Sequence, residues 1–427
     1  MSPKFTSEEL NAQLTYLYAL ERRGIKVGLD HTRELLERCG NPHNNFRSIH
    51  IAGTNGKGST AAICSKILNY AGFQVGLYTS PHLVRFNERI RVNGKPIADV
   101  EIADFIFNNR KHFDSIKSTF FEATTAMAFW YFNRENVDVA VVETGLGGRL
   151  DSTNVLNPEI AVITPISLDH TDLLGEDIET ITFEKAGIFK SGIPVVISPQ
   201  IKQAENVLIK HAEQKKMDVF SIHPNDIHIE RISSNGTNFS FKGSDYTVSL
   251  IGEHQAVNAS TAIEAVRIFN KNVSNKSVQQ GLENTHWPGR MERIHSDLPI
   301  YYDVAHNPHG VKTILATLNK LYDKNPVGVI ALKEDKEIDH LLRVISGRFH
   351  ALHALNVSGY RVMPAGNLVS SFNRNSVQNN GSVSIEKTHK ILTANAKKGR
   401  PGLIFGSHYI AGAVYGEFEI SFDIEAV

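Results

Sequence analysis

A lysine flanked by glycines and followed by hydroxyl residues marks the stretch of sequence best suited to chemistry. The segment is Gly53-Thr54-Asn55-Gly56-Lys57-Gly58-Ser59-Thr60, between an apolar run at 48–52 and apolar residues at helical spacing at 61–68. This order predicts a strand, a tight turn and a helix N-terminus. A helix N-terminus presents unpaired N–H groups, and glycines let the backbone approach an anion closely. The segment therefore predicts a binding loop for a phosphate chain.

The loop departs from the common phosphate-loop pattern G-x-x-x-x-G-K-[ST]. Ile51 stands where that pattern has its first glycine, and Gly58 separates Lys57 from the hydroxyl of Ser59. The alternative is a glycine-rich loop that only turns a corner. We favour phosphate binding, because a lysine between glycines at the start of a helix has little structural use.

An acidic residue ends the most strand-like run of the chain. Residues 137–142 are almost entirely apolar, and Glu143 follows them directly. A carboxylate at the tip of a buried strand is the arrangement that holds magnesium in many nucleotide-binding proteins. Burying that charge without a cation would be costly, so Glu143 is a candidate metal ligand.

Two other predicted strand ends carry polar side chains that could meet the same ion. Ser80 follows the strand predicted at 74–78, and His170 follows the strand at 160–163. Ligands of open parallel sheets bind at the carboxyl ends of the strands, so Ser80 can reach phosphates held by Lys57. As the residue before a proline, Ser80 could also be an ordinary turn residue. His170 fits either a tolerant second metal or a structural imidazole, because magnesium prefers oxygen ligands.

Further candidates lie later in the chain. Lys185 has apolar neighbours and could contact phosphate, have a lowered pKa, or be a solvated surface ammonium. Asn258, on a predicted helix, could hydrogen-bond the edge of a base. Segments that begin at Asp303 and Gly406 both follow predicted strands, so they are expected to face a shared crevice.

The order of these elements predicts an α/β protein with two domains. We expect a P-loop mononucleotide-binding domain with a mostly parallel sheet at 1–295, and a smaller Rossmann-like α/β domain at 296–427. Asn93-Gly94 predicts a hairpin that stands off the main sheet, and residues 200–250 show a β-rich pattern. The aromatic residues of a helix at 120–132 are expected in the core.

Composition excludes several classes of function. Lysine plus arginine (45) equal aspartate plus glutamate (45) among 427 residues, so no overall field favours nucleic acid or anionic lipid. Cys39 and Cys64 are too few for a disulfide framework or a thiolate zinc site. The first ten residues lack the apolar core of a signal peptide, and no apolar stretch approaches 18 residues. We expect a cytoplasmic, monomeric enzyme with small-molecule substrates.

Together the motifs resemble the folylpolyglutamate synthase and dihydrofolate synthase branch of the Mur ligase superfamily, which carries this short form of the phosphate loop. In family order they are G-T-N-G-K-G-S-T (53–60), T-S-P-H-L-V-R-F-N-E-R-I (79–90), E-T-G-L-G-G-R-L-D-S-T-N (143–154), L-D-H-T (168–171), E-K-A-G-I-F-K (184–190), H-W-P-G-R-M-E (286–292) and D-V-A-H-N-P-H-G (303–310). The resemblance implies that ATP converts a carboxylate into an acyl phosphate, and that the amine of L-glutamate displaces the phosphate to form an amide. Val304 replaces the family's usual glycine, which is expected to alter local backbone geometry more than activity.

The resemblance also implies roles for individual residues. ATP is expected at Thr54, Asn55, Gly56, Lys57, Gly58, Ser59, Asn258, Arg290 and Asp303, and Mg²⁺ at Ser80, Glu143 and His170. The pterin substrate is expected at Thr119, Phe120, Phe121, Glu122, Leu150, Asp151 and Ser152, and the incoming glutamate at His306 and Ser407. Catalytic roles are implied for Lys57, His170 and Lys185, and Lys185 matches a lysine that relatives carry as N6-carboxylysine.

Two other interpretations stay open at this point. One is a cell-wall amino-acid ligase of the same superfamily, against which the pterin-matching segments argue. The other is a non-catalytic P-loop protein that binds nucleotide and switches shape. We expect both dihydrofolate synthase and folylpolyglutamate synthase activity, with dihydropteroate and reduced folates as acceptors. Because the expected ATP contacts come from both domains, domain closure is expected to assemble the site.

Overall fold

The computed structural model describes residues 5–24, 28–333 and 338–421, and these residues form three β-sheets. The first sheet contains β1 (Arg47–Ala52), β2 (Val75–Tyr78), β3 (Ile90–Val92), β4 (Lys95–Pro96), β5 (Val139–Glu143), β6 (Ile160–Ile163), β7 (Val195–Ile197) and β8 (Val219–Ser221). The second contains β9 (Ile227–Ser233), β10 (Gly236–Phe241) and β11 (Ser244–Val248). The third contains β12 (Glu292–Arg293), β13 (Ile300–Asp303), β14 (Val327–Ile330), β15 (Ala351–Asn356), β16 (Ser382–Ser384) and β17 (Gly402–Phe405).

Helices cover the faces of the sheets. They are α1 (Ser7–Ala19), α2 (Asp30–Arg38), α3 (Lys57–Tyr70), α4 (Asp99–Ile116), α5 (Phe120–Arg134), α6 (Thr171–Leu174), α7 (Ile178–Ala186), α8 (Lys202–Gln214), α9 (Glu253–Phe269), α10 (Asn275–Glu283), α11 (Pro308–Leu321), α12 (Asp339–Ile345), α13 (Ala365–Arg374), α14 (Ile385–Ala396) and α15 (Ala411–Glu417). We call the chain up to α10 the first lobe and the chain from β12 onward the second lobe. No helix in the described part of either lobe is long and apolar enough to cross a bilayer.

The first sheet has the strand order β4-β3-β2-β5-β1-β6-β7-β8, and all neighbours from β2 to β8 are parallel. After β1 the chain moves to β2 on one side, and from β6 onward it adds strands on the other side. The carboxyl end of β1 therefore lies at a topological switch point, where open α/β sheets bind ligands. The glycine-rich loop begins there, as predicted, and the prediction of the fold class is confirmed.

The hairpin at Asn93-Gly94 forms, but the prediction that it stands off the main sheet is wrong. β3 pairs antiparallel with β2, placing Val92 opposite Gly76, and β4 extends the same edge. Glycine at position 76 lets β2 pack closely on α5, because a β-carbon there would lie 2.7 Å from the ring of Phe132. The hairpin therefore holds the segment that follows Ser80 against the main sheet.

The prediction of a β-rich segment at residues 200–250 is wrong for its first part. α8 occupies residues 202–214, and it buries Ala204, Leu208 and Ala212 against the first lobe. These residues recur every fourth position, which is helical spacing, but two of them are small and give a weak apolar signal. The strands β9 to β11 follow only after this helix and β8.

The second lobe contains the smaller doubly wound sheet, in the order β12-β13-β17-β14-β15-β16. Its strands from β13 to β16 are parallel, whereas β12 is antiparallel. Asp303 pairs with Phe405, so the segments that follow β13 and β17 lie side by side. β12 lies before the boundary at residue 295 yet joins this sheet; the boundary stays a prediction.

The aromatic residues of α5 lie in the core of the first lobe, as predicted. Phe129 and Phe132 are fully buried and Phe120 is nearly so. They belong to an apolar cluster that α5 forms with α1, α2 and α4. This packing fixes the N-terminal end of α5, where residues 119–122 of those matched to pterin binding lie.

Candidate active site

A cavity lies between the carboxyl ends of the strands of the two lobes. Its volume is about 600 Å³, a size typical of sites that hold small molecules. The predicted residues that line it are Thr54, Asn55, Gly56, Lys57, Gly58, Ser59, Ser80, Glu143, His170, Lys185, Asn258, Arg290, Asp303 and His306. Ser407 and the residues matched to pterin binding are not part of this lining. The structure thus brings the predicted nucleotide and metal residues together.

Hydrogen bonds to the loop after β6 fix the backbone of the phosphate loop. The N–H groups of Thr54 and Asn55 donate to the carbonyl of Pro165, each at 3.1 Å. α3 begins at Lys57, so its first turn supplies the unpaired N–H groups of a helix N-terminus to the cavity wall. In the same turn the buried Oγ of Ser59 has no hydrogen-bond partner among the described residues. Phosphate oxygens would satisfy these donors.

The phosphate loop and α9 approach each other closely at Gly56. Its φ is +87°, and a β-carbon there would lie 2.3 Å from Oδ1 of Asn258. Asn258 is itself buried and donates from Nδ2 to Oε1 of Gln255 at 2.9 Å. Glycine is therefore required at this position both by the backbone and by the neighbouring side chain.

We expect Gly56→Ala to weaken nucleotide binding by at least about tenfold. The left-handed backbone costs an alanine about 1–2 kcal/mol, and the clash with Asn258 displaces the phosphate loop as well. Calorimetric titration with ATP measures the effect. Gly40→Ala is the matched control, because Gly40 has a φ of +81° but nothing within 4 Å of an added β-carbon. Equal ATP affinity in the two variants would show that the loop tolerates the clash.

Glu143 is a buried carboxylate at the tip of β5. Only 4% of its surface is exposed, its Oε2 accepts from the N–H of Ser80 at 3.2 Å, and its Oε1 lies 3.8 Å from Nζ of Lys57. Burial raises the pKa of Glu143, while Lys57 and the Ser80 N–H oppose that rise. The carboxylate is therefore in a place where an additional cation would stabilise its charge.

Lys185 lies at the end of α7, beneath the phosphate loop. It is 5% exposed, and its Nζ donates to the carbonyl of Gly53 at 2.8 Å. Burial lowers the pKa of Lys185 to about 7, and the nearby charge of Lys57 adds to this effect. The interpretation of a solvated surface ammonium is wrong, because the amine is buried.

The second lobe contacts the phosphate loop directly. Nδ2 of Asn307 donates to Oδ1 of Asn55 at 3.1 Å and to Oδ2 of Asp169 at 3.2 Å. Nδ2 of Asn55 also lies 3.1 Å from Nδ1 of His309. A ligand held by the loop is therefore within reach of both lobes. Sequence analysis placed Asn307 and His309 in a segment that faces a crevice, but gave neither residue a role of its own.

Asp303 and Val304 form the end of β13 at the cavity. The carboxylate of Asp303 accepts from the N–H groups of Met291 and Ala305, each at 2.7 Å, and burial raises its pKa. Val304 is not among the residues with a positive φ, and its N–H donates to the carbonyl of Gly289 at 3.1 Å. The valine that replaces the family's glycine therefore fits this backbone without strain, and the expected difference in geometry from relatives stays a prediction.

The residues matched to pterin binding form a cluster next to the cavity. Oδ2 of Asp151 accepts from the N–H groups of Gly145 and Leu146, each at 2.9 Å, and both of these residues line the cavity. The ring of Phe121 lies so close to Gly145 that a β-carbon there would be 2.3 Å from it. Ser152 and Leu150 flank Asp151. The cluster is thus separated from the cavity only by the loop after β5.

Several residues of the predicted substrate sites also have structural contacts. The hydroxyl of Thr119 caps α5, while its N–H donates to the carboxylate of Glu122 at 2.7 Å. Oγ of Ser407 accepts from the N–H of Tyr409 at 3.1 Å, and its carbonyl accepts from the hydroxyl of Tyr302 at 2.8 Å. These bonds account for the residue types by themselves, so the substrate roles stay predictions.

Arg89 is a candidate that sequence reasoning missed. It ends a 3₁₀ helix at Phe86–Arg89 and is 8% exposed. No carboxylate of the described residues lies within 4 Å of its guanidinium, which sits over the ring of Phe120 at 5.2 Å. An unpaired buried cation is costly, which indicates a site for an anion. The available signal was an arginine in the F-N-E-R-I segment, directly after the Ser80 loop.

His408 brings the second lobe next to this cation. Burial lowers the pKa of His408 to about 3, and the nearby His306 and Arg89 contribute. Arg89 is also close enough to oppose the rise in the pKa of Glu143. Arg89 is therefore near both His408 of the second lobe and the proposed metal carboxylate.

A P-loop lobe and a Rossmann-like lobe whose strand ends share one cavity define the class of two-lobed nucleotide-dependent ligases. Residues 51–266 match the Mur ligase middle domain, and residues 289–408 match the Mur ligase, glutamate ligase domain. The dihydrofolate synthase/folylpolyglutamate synthase of Bacillus subtilis is 36% identical over 420 residues, which cover 94% of this chain and 96% of that protein. The enzyme of the same name from Escherichia coli is 33% identical over 343 residues, 77% of each chain.

Solved structures agree with these matches. Mycobacterium tuberculosis folylpolyglutamate synthase complexed with ADP and AMPPCP has a TM-score of 0.86 at 31% identity, covering 96% of this chain and 99% of that one. E. coli FolC in complex with DHPP and ADP has a TM-score of 0.84 at 30% identity, covering 96% and 97%. The chain therefore belongs to the folylpolyglutamate synthase and dihydrofolate synthase branch of the Mur ligase family. It is an ATP-dependent ligase that forms amide bonds, so the switch-protein interpretation is not supported.

Proposed function

We propose that this enzyme joins L-glutamate to the carboxylate of dihydropteroate and of reduced folates. The observation that carries the proposal is the convergence of Lys57, Glu143 and Asp303, from both lobes, on one cavity beside the cluster around Asp151. The relative whose structure contains DHPP and ADP has the same fold over nearly its whole length, which supports a pterin acceptor here. The cytoplasmic location and monomeric state stay predictions.

The phosphate loop and α3 would bind the triphosphate of ATP. The unpaired N–H groups of the first turn, the Oγ of Ser59 and the ammonium of Lys57 are donors for phosphate oxygens. These groups stabilise the charge that develops as the terminal phosphate moves to the acceptor carboxylate and ADP leaves. Attack of the glutamate amine on the resulting acyl phosphate then forms the C–N bond and expels phosphate.

The residues present fit a magnesium ion. In the described ranges no three His, Cys, Asp or Glu side chains are grouped to hold a metal. Magnesium in nucleotide sites needs fewer, because one or two carboxylates are commonly joined by phosphate oxygens and water. Glu143 would supply the carboxylate, and Ser80, whose N–H bonds to it, and His170 also line the cavity. The ion would neutralise phosphate charge when bound.

Lys185 is suited to carbamylation by carbon dioxide. That reaction forms an N–C bond between the neutral amine and CO₂ and releases one proton, so it needs an amine with a low pKa. The pKa of about 7 and the burial of Lys185 meet this requirement. The product is a carboxylate at the tip of a lysine side chain, within the cavity that also holds His170.

Arg89, His306 and Ser407 would receive the incoming glutamate. Nδ1 of His306 bonds to the carbonyl of Val304 at 2.9 Å, which leaves Nε2 facing Asp169 at 3.8 Å. The guanidinium of Arg89 is suited to bind a carboxylate with two N–H groups. Glutamate bound there would lie between the lobes, close to Glu143 and the acyl phosphate.

We expect Arg89→Met to raise KM for glutamate by roughly a hundredfold, because a charge-assisted pair is lost. The same variant should unfold close to the wild type, since removal of a buried charge without an ion-pair partner offsets the loss of the hydrogen bond to Nδ1 of His82. Arg47→Met is the control: Arg47 is exposed, pairs with Glu159 and lies at the opposite end of the strands. A loss of stability together with an unchanged KM would mean that Arg89 is structural.

The proposed activity is tested by phosphate release from the purified protein with ATP, Mg²⁺ and glutamate. Dihydropteroate and tetrahydrofolate are offered in turn, with peptidoglycan precursors as a negative control. We expect glutamate-dependent release with both pterin acceptors and none with the precursors. Release with only one acceptor would restrict the enzyme to one activity, and release only with the precursors would overturn the proposal.

A further inference from the structure

His82 makes a specific contact with the buried cation of the proposed glutamate site. Nε of Arg89 donates to Nδ1 of His82 at 2.8 Å. Because Nδ1 accepts this hydrogen bond, the imidazole is neutral and its proton is on Nε2.

The loop that carries His82 is held rigidly. The carboxylate of Glu88 accepts from the N–H groups of Leu83 and Val84, each at 2.8 Å, and also from that of Arg85. The imidazole packs against Tyr18 and Phe86, with ring centroids 6.3 Å away in each case. The acceptor atom is therefore fixed relative to the 3₁₀ helix that bears Arg89.

Two contacts together define the plane of the guanidinium. His82 engages the Nε edge, and the ring of Phe120 lies under the face at 5.2 Å. The two terminal nitrogens make no ion pair among the described residues. Arginine binds a carboxylate best with two N–H groups that lie in one plane. A hydrogen-bond acceptor at Nε therefore determines where the two terminal nitrogens of Arg89 are presented to a carboxylate.

We infer that His82 is a positioning residue that orients Arg89 for the carboxylate of the incoming glutamate. The inference rests on the proposed glutamate site at Arg89. A positioning role for His82 differs from a packing role. Packing against Tyr18 and Phe86 needs only an aromatic ring, whereas orienting Arg89 needs the acceptor atom Nδ1. Two substitutions separate these properties.

His82→Phe keeps an aromatic ring between Tyr18 and Phe86 but removes the acceptor, whereas His82→Asn places an amide oxygen near the position of Nδ1. We expect His82→Phe to raise KM for glutamate by about tenfold or more, with KM for ATP and for the pterin acceptor within about twofold of the wild type. His82→Asn should recover most of the loss. His43→Phe is the matched control, because His43 is a half-buried imidazole that packs against Phe129 at 6.3 Å and is remote from Arg89.

The outcomes distinguish this inference from the proposed function. Equal losses in His82→Phe and His82→Asn, or a parallel rise in all three KM values, would assign His82 a packing role and overturn the inference. If Arg89→Met raises KM for glutamate while His82→Phe does not, the glutamate site stands and the positioning role fails. If Arg89→Met leaves that KM unchanged, the assignment of the glutamate site itself is wrong.

Discussion

Replacing Glu143 by alanine or glutamine should lower turnover by roughly 10³-fold or more with either pterin acceptor, while the protein stays folded. Glutamine keeps the size of the side chain and an oxygen for the N–H of Ser80, so its effect isolates the charge. Because burial raises the pKa of Glu143, removing the negative charge should not destabilise the fold. Steady-state phosphate release and thermal unfolding of the same preparations measure the two effects.

The control for this experiment is Glu159→Gln. Glu159 is a partly exposed carboxylate that pairs with Arg47 at the opposite end of the strands, so its loss should leave turnover within about twofold. Rates like those of the wild type in the Glu143 variants would remove the metal assignment. Unfolded Glu143→Gln protein would instead make this carboxylate a structural group.

Lys185→Gln should lower turnover by roughly 10²-fold or more, because the substitution removes the amine and no carbamate can then form at that position. The wild-type enzyme should also depend on pH and on carbon dioxide. The pKa of Lys185 is about 7, so the ammonium, which cannot react with CO₂, predominates below pH 7 and the amine above it. In buffers depleted of bicarbonate, activity should therefore rise between pH 6 and pH 8, and added bicarbonate should increase it most at the lower pH.

Lys190→Gln is the matched control for Lys185. Lys190 is a partly buried lysine whose pKa burial lowers to about 8, but its Nζ donates to the carbonyl of Asn154 and it is not part of the cavity lining. Its replacement should leave the response to bicarbonate intact. A wild-type enzyme that ignores bicarbonate at every pH would contradict carbamylation, even if Lys185→Gln is inactive.

The parts of the site that depend on local sequence could be predicted. The phosphate loop, Glu143 and Asp303 each follow an apolar strand directly, and the carboxyl ends of parallel strands meet at one edge of a sheet. Their residue types and positions were therefore enough to place the phosphate loop and Glu143 at one sheet edge, whereas the family resemblance was needed to bring Asp303 of the second lobe to the same cavity. The same reasoning gave the two-lobed α/β fold.

The parts that depend on long-range packing could not be predicted in this way. Arg89 stands out only because it is buried without a carboxylate partner, which is a property of the folded chain. Asn307 meets Asn55 only because the second lobe docks on the phosphate loop. The hairpin joins the main sheet through its pairing with β2, and α8 was hidden by the small apolar side chains of Ala204 and Ala212.

The central claim is that donors from the ends of strands in two lobes direct the terminal phosphate of one ATP onto an acceptor carboxylate. The most direct measurement follows the oxygen atoms of that carboxylate. Dihydropteroate labelled with ¹⁸O in its carboxylate is converted with ATP, Mg²⁺ and glutamate, and the phosphate released is analysed by mass spectrometry. We predict one ¹⁸O atom in each inorganic phosphate, because phosphate leaves with an oxygen of the acceptor. Unlabelled phosphate, or label found in AMP, would contradict activation by phosphoryl transfer.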